Sequence, residues 1–461
     1  MGHSKRFYLP VVSSLAFLAA GCGSGKSVGH TPQDITFTNP GTQTVGAPVT
    51  LSATSNSGLA ISFASSSPAV CTVSGSMVTF VAAGTCTVTA SAAGNSTYAA
   101  ASQVTQNFTV NPAVSPNTTI YMVGTAISSA SSQSNIVNVA EEWQLKSGNP
   151  VATSTELPMP NGMTSSEADA IALSGSDVYV AGTASNSANR TAVYWLNGGP
   201  AITLPSSMTI SQTNAIAVSG GNVCIVGFES NGPGGGSAVL WVNGAHTTLT
   251  PPAGKAYAGA AAIAVSGGNV YVAGIAFNTN EDESAVLWVN GVPTILPAPP
   301  GLIGDYFANG LAVAGGNIYV SGTTIPNSGG TTALFWQNGG AAMTLPIPPG
   351  DSAQNYGAGA VAVLGSDVYV AGGGVSGATG NSTAAYWLNG TGTSLPLPTN
   401  PIGSAGTSFT GGIGFSGSDV YVVGSWGPYA TYWVNGGAGT LLPMPSGTSQ
   451  ADAIAIAVDS Q

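Results

Sequence analysis

The side chains able to do chemistry are few, and their placement narrows what the chain can do. Of three histidines, His3 and His30 lie near the N-terminus. His246 stands alone in the rest, so no histidine-based triad or histidine metal cluster is available. It reads as a solvated loop residue. Asp177, Asp367 and Asp419 recur where Asn222, Asn269 and Asn317 stand in related segments, which points to a turn role rather than catalysis. Glu281-Asp-Glu283 reads as a solvated acidic loop tip, since no calcium-loop spacing surrounds it. Glu141 and Glu142 are odder. A glycosidase needs two carboxyls facing one gap of about 5–9 Å. Neighbouring strand residues point to opposite faces, so these two cannot be that couple. Either the segment is irregular there or one of them lines a pocket. Convergence of Asp305, Glu141 and a tyrosine would be needed to argue for an enzyme. No catalytic residue, metal site or cofactor is expected.

Charge excludes another class. Charged residues are 5% of the chain and the net charge is −11. Past residue 30 the cations are Lys146, Arg190 and Lys255, too few and scattered to neutralise phosphates. Nucleic-acid binding is not expected. No apolar run reaches the roughly 20 residues of a membrane-spanning helix.

Near the N-terminus, Lys5 and Arg6 precede an apolar stretch, Phe7 to Ala20, and small residues follow. That layout predicts a secretory signal over residues 1–21. Leu18-Ala-Ala-Gly-Cys22 resembles the lipobox of bacterial lipoproteins, with Ala19 where leucine is usual. The resemblance implies a diacylated Cys22 and attachment to a membrane through the N-terminal lipid. Gly23, in place of an aspartate, implies an outer-membrane or surface location. Residues 22–32 read as a flexible tether.

Residues 33–112 hold short alternating segments, among them Ile35-Thr-Phe-Thr and Cys86-Thr-Val-Thr-Ala. A small β-sandwich is expected. Cys71 and Cys86 are 15 apart in β-rich segments, a pair that an exported protein can oxidise. Cys224 reads as an inert buried thiol. Gly58 to Gly75, Ala83 to Ser91 and Gly94-Asn-Ser-Thr-Tyr98 resemble bacterial surface Ig-like repeats. That resemblance covers both cysteines and implies a spacer or adhesion module without chemistry.

From residue 113 to 461 one signature recurs: Ile120-Tyr-Met-Val-Gly, Val178-Tyr-Val-Ala-Gly, Val223-Cys-Ile-Val-Gly, Val270-Tyr-Val-Ala-Gly, Ile318-Tyr-Val-Ser-Gly, Val368-Tyr-Val-Ala-Gly and Val420-Tyr-Val-Val-Gly. Each copy precedes a tryptophan: Trp143, Trp195, Trp241, Trp288, Trp336, Trp387 and Trp433. These define seven repeats. From the second onward the tryptophan opens Trp-x-Asn-Gly, a hairpin signal. Four strands over about 50 residues are the mark of a propeller blade. The first repeat lacks an Ala-Ile-Ala-Val strand, and the chain ends in an orphan copy, Ala453 to Val458. The expected fold is therefore all-β: an Ig-like sandwich plus one seven-bladed propeller closed by the C-terminal strand, which removes open edges. The repeats resemble those of bacterial surface propellers, a fold that hosts many unrelated functions.

The repeated tryptophans read as packing between blades. Aromatics outside the repeat are the ligand candidates. Tyr257, Tyr306, Phe307, Tyr356 and Phe409 precede first strands, and Trp426 and Tyr429 lie in a short loop of the last blade. Together they could form a platform for sugar rings or an apolar chain, or cap the blades beneath. The leading expectation is a non-enzymatic, monomeric surface lipoprotein for binding or adhesion, with a glycan, envelope polymer or protein ligand. A scaffold without a small ligand, and a polysaccharide lyase or hydrolase, are the alternatives.

Overall fold

The structure is a computed structural model. It describes residues 30–460 except 47, 83, 112–117, 131–135, 148, 150, 233–234, 281, 302, 328–329, 352–354, 376–381 and 399–407. The expected signal segment, Cys22, most of the expected tether and Glu281 lie outside the described residues. The described elements are all β-strands.

In the N-terminal module, a four-stranded sheet carries Gly84–Ala92 at its centre, and a three-stranded sheet carries Cys71–Ser74 at its edge. Burial alternates along these strands, as expected where one face meets a core. Phe37, Val78, Phe80, Val88 and Phe108 fill that core. Cys71 and Cys86 are fully buried and joined by a disulfide, which ties one sheet to the other.

Each of the second to seventh repeats forms four antiparallel strands in chain order. The fourth repeat is representative: Tyr257–Ser266, Asn269–Phe277, Glu283–Val289 and Val292–Ile295. A single parallel pairing, Arg190 with Ile210, joins the sheets of the second and third repeats. The tight turns follow from local chemistry. Asn290 adopts a left-handed φ of 50° before Gly291, the conformation that an Asn-Gly hairpin turn requires. Its side-chain oxygen accepts the Val270 N–H, and its amide donates to Asn269. Asn197, Asn389 and Asn435 donate in the same way to Asp177, Asp367 and Asp419. Those carboxylates are turn residues.

The glycine ending each second-strand signature has a steric cause. A Cβ on Gly322 would lie 2.0 Å from the Phe307 carbonyl oxygen, and one on Gly424 would lie 1.8 Å from that of Phe409. The first strand bulges beside this glycine in every repeat and presses its backbone against it.

The seven repeat tryptophans are fully buried, and each of their indole N–H groups reaches into the preceding repeat. Trp195 donates to the Pro158 carbonyl at 2.9 Å, Trp336 to Pro297 at 2.8 Å and Trp433 to Pro396 at 2.8 Å. Trp143 of the first repeat donates to Pro443 of the seventh at 3.0 Å. The apolar clusters follow the same order. Each draws on two successive repeats, and one combines Ile120, Met122 and Trp143 with Tyr421, Val423 and Ala430.

The first repeat's sheet runs Thr153–Glu156, Asn138–Lys146, Thr118–Ser128, Thr448–Ser460. The C-terminal strand thus occupies the first-strand place. Asp452 lies opposite Thr125, as Glu167 lies opposite Thr183. The local likeness of Gln450-Ala-Asp-Ala to Glu167-Ala-Asp-Ala is therefore two residues out of structural register. First strands of successive repeats touch, including Ser408–Ser416 with Thr448–Ser460 and Thr448–Ser460 with Ser165–Ser174.

Candidate functional site

The candidate aromatics gather where the first strands begin and the second strands end. Position within each repeat decides what they do. The residue whose carbonyl covers the repeat glycine is, in order, Asp452, Glu167, Gln212, Gly259, Phe307, Gly357 and Phe409. Phe409 is 52% exposed and Phe307 half-buried, so both present ring surface. One residue earlier stand Ala451, Ser166, Ser211, Ala258, Tyr306, Tyr356 and Ser408, all buried. The hydroxyl oxygens of Ser166, Ser211 and Ser408 accept the N–H of Ala140, Ala192 and Ala384 in the preceding repeat.

The platform expected of Tyr306, Tyr356 and Trp426 is corrected by this geometry. Tyr306 packs in the apolar seam between the fourth and fifth repeats. Tyr356 is 2% exposed, meets Trp387 edge-on at 5.9 Å and donates to Asp351. Burial, then the Asp351 contact, pushes the Tyr356 hydroxyl well above its ordinary range. Trp426 is 3% exposed, and its indole N–H has no hydrogen-bond partner. It ends the second strand of the seventh repeat, stacked against Tyr429 at 6.3 Å across a two-residue turn. These three point between sheets because adjacent strand residues alternate. Tyr429 and Tyr257 are half-buried, the latter against Phe277 at 5.2 Å. Of the candidate aromatics, Phe307, Phe409, Tyr257 and Tyr429 are the four that keep accessible ring surface.

Asp305 and Glu141 do not converge, lying in the fifth and first repeats. The Asp305 Oδ1 atom accepts the Glu283 N–H, fastening the third strand of the preceding repeat. Glu141 lies in the first repeat, 2% exposed, and Glu142 is 6% exposed. Burial, reinforced by Glu156, lifts the Glu141 carboxyl to about 7. Burial also raises Glu142, opposed by a hydrogen bond from Gln144.

Some features were missed by sequence reasoning. Asp169 occupies the first-strand bulge of the second repeat and accepts from Thr183 at 3.0 Å and Thr213 at 2.8 Å, bridging to the third. Burial outweighs those hydroxyls and lifts its carboxyl to about 7. Asn214 and Asn309, at the corresponding bulges, donate to the next repeat's Ala260 and Ala358 carbonyls. The polar residue before Ala-Ile-Ala-Val was the available signal. His246 is not a solvated loop residue. It lies on the strand Ala245–Thr248 and contacts fully buried Glu229 at 2.8 Å, which also accepts from Ser207. Glu167 forms an ion pair with Arg190 at 2.9 Å.

A cleft of about 340 Å³ opens between the fourth and fifth repeats. Asp282, Asp305, Tyr306, Ile303 and Asn327 line it. Among the described residues, no group of three or more His, Cys, Asp or Glu side chains is arranged to hold a metal ion.

No protein-family model and no curated protein matches the chain. Among solved structures, the β-propeller domain of the Trilobed protease from Pyrococcus furiosus is similar over 72% of this chain and 93% of its own, at 11% identity and TM-score 0.40. A puromycin-hydrolysing peptidase of Mycobacterium tuberculosis is similar over 75% of this chain, which spans 54% of the peptidase, at 15% identity and TM-score 0.38. A GH43 endo-arabinanase from Bacillus licheniformis is similar over 49% of this chain and 95% of its own, at 12% identity and TM-score 0.29.

Proposed function

We propose that this chain is a non-enzymatic, lipid-anchored surface protein for binding or adhesion. Its architecture is an Ig-like sandwich followed by a seven-bladed propeller, closed where the C-terminal strand joins the first blade. The Trp143 bond to Pro443 and the contacts of successive first strands support that closure. The ligand, a glycan or envelope polymer, meets the mouth where the first strands begin. The observation that carries this reading is Phe409, a large ring more than half exposed at a position occupied by Asp452, Glu167 and Gln212 in the first three blades. Exposed aromatic faces beside polar groups suit the apolar faces and hydroxyls of sugars. Burial of Tyr306, Tyr356 and Trp426 favours the scaffold reading at those three positions.

The test uses residues 33–461 with a panel of polysaccharides, scoring gel retardation together with release of new chain ends. Retardation without new ends, weakened at least fivefold by Phe409→Ala, is the expected result. New chain ends would overturn it in favour of an enzyme. Neither effect would leave the scaffold reading in the lead.

A further inference from the structure

The seam between the seventh and first repeats carries a carboxyl at a third-strand position where every later repeat has an uncharged side chain. Glu141 lies opposite Gly124, and Trp143 opposite Met122. Residues two apart share a face of a strand, so Glu141 shares the face on which Trp143 and Met122 pack against the seventh repeat. At the corresponding position the later repeats carry Val193, Val239, Val286, Leu334, Ala385 and Thr431. Glu141 is 2% exposed, and its Oε2 atom has no hydrogen-bond partner. An unpaired carboxylate in such surroundings is costly, whereas a neutral carboxyl costs much less.

We propose that this seam is a proton-operated clasp, closed when Glu141 is a neutral acid and loosened when it is a carboxylate. The proposal rests on the ring reading above and adds a regulation of its mouth, because Phe409 and Asp452 sit on the two first strands that meet at this seam. The surrounding charges act in the same sense. Glu156, on the adjoining fourth strand, faces Glu141 and disfavours its ionisation. The C-terminal strand brings Asp452 and Asp459, and the seventh repeat brings the Tyr421 and Tyr432 hydroxyls. Glu142 points to the opposite face. The one cation on these strands, Lys146, is at the exposed end of the third strand, opposite Thr119.

The sign follows from linkage. Burial holds the carboxyl at about 7 against an ordinary 4.5. Between those values the closed seam keeps a proton that an open seam releases, so closure weakens as pH rises through that window. Above about 7 the full penalty applies.

Hydrogen exchange on the full chain tests this, with amide protection corrected for intrinsic rates and followed from pH 5 to pH 8. Protection of amides 450–458 should fall on the order of a hundredfold in the wild type. Protection in Tyr257–Ser266 should hold, and Glu141→Gln should abolish the fall. Glu141→Val, which installs the side chain of three later repeats, serves if the glutamine variant does not fold. Constant protection of 450–458 in the wild type, or an unchanged fall in either variant, would overturn the clasp. Absence of protection already at pH 5 would instead overturn the ring closure on which the clasp depends.

Discussion

The N-terminal module joins its four-stranded and three-stranded sheets with one covalent bond, Cys71 to Cys86. The repeats join neighbouring sheets with an indole hydrogen bond used at every seam, from Trp195 and Pro158 round to Trp143 and Pro443. The contrast follows from size and symmetry. Roughly eighty residues bury a small core, and a cross-link adds stability by restricting the unfolded chain. The repeats instead stack large apolar faces, so each seam contributes packing that no single bond has to supply. The difference teaches that the module's integrity depends on redox conditions, whereas that of the repeats depends on shape at each seam.

Truncating a seam tryptophan should have the largest effect. Trp288→Ala removes a fully buried indole and leaves the Thr250 carbonyl without its donor. A loss of about 3–5 kcal/mol is expected, read from denaturant unfolding of the repeats. The module's own transition should not move. Next, Cys71→Ser should cost the module about 3 kcal/mol. Thermal unfolding with and without reductant should show that transition alone shifting, and a shift in the repeats would break the comparison. Asn290→Ala is smaller. It forces alanine into a left-handed turn and removes two side-chain hydrogen bonds, so about 1–2 kcal/mol is expected from the same denaturant curves. Phe409→Ala should sharpen the contrast from the other end, changing melting by less than about 0.5 kcal/mol because the ring is exposed.

Much of this was legible from residue types and spacing. The alternating segments around Cys71 and Cys86 pointed to strands that could bring the sulfurs together, and they do. The interchange of Asp177 with Asn222 identified a turn, and the two accept from equivalent asparagine amides, those of Asn197 and Asn243. The recurrent tryptophans read correctly as packing. The direction of Tyr306 against Phe307 was not legible. A bulge interrupts the strand pattern just beyond them, and a tyrosine at 306 stands where five of the other six repeats carry serine or alanine. Similar local spelling left the register of the C-terminal strand open by two residues. Gln450-Ala-Asp-Ala looks like Glu167-Ala-Asp-Ala, yet pairing with the second strand sets Asp452 level with Glu167. The partnership of His246 with Glu229 depends on neighbouring strands of one sheet, which spacing along the chain does not reveal.

The claim that the C-terminal strand completes the first repeat is tested most directly by cysteine cross-linking. Thr119 faces Asp459 across the two strands and lies two residues out of register with Ala457. In a Cys224→Ser background, Thr119→Cys with Asp459→Cys should oxidise almost completely under mild conditions. Thr119→Cys with Ala457→Cys should not. Failure of the first pair to cross-link, or preference for the second, would contradict the account.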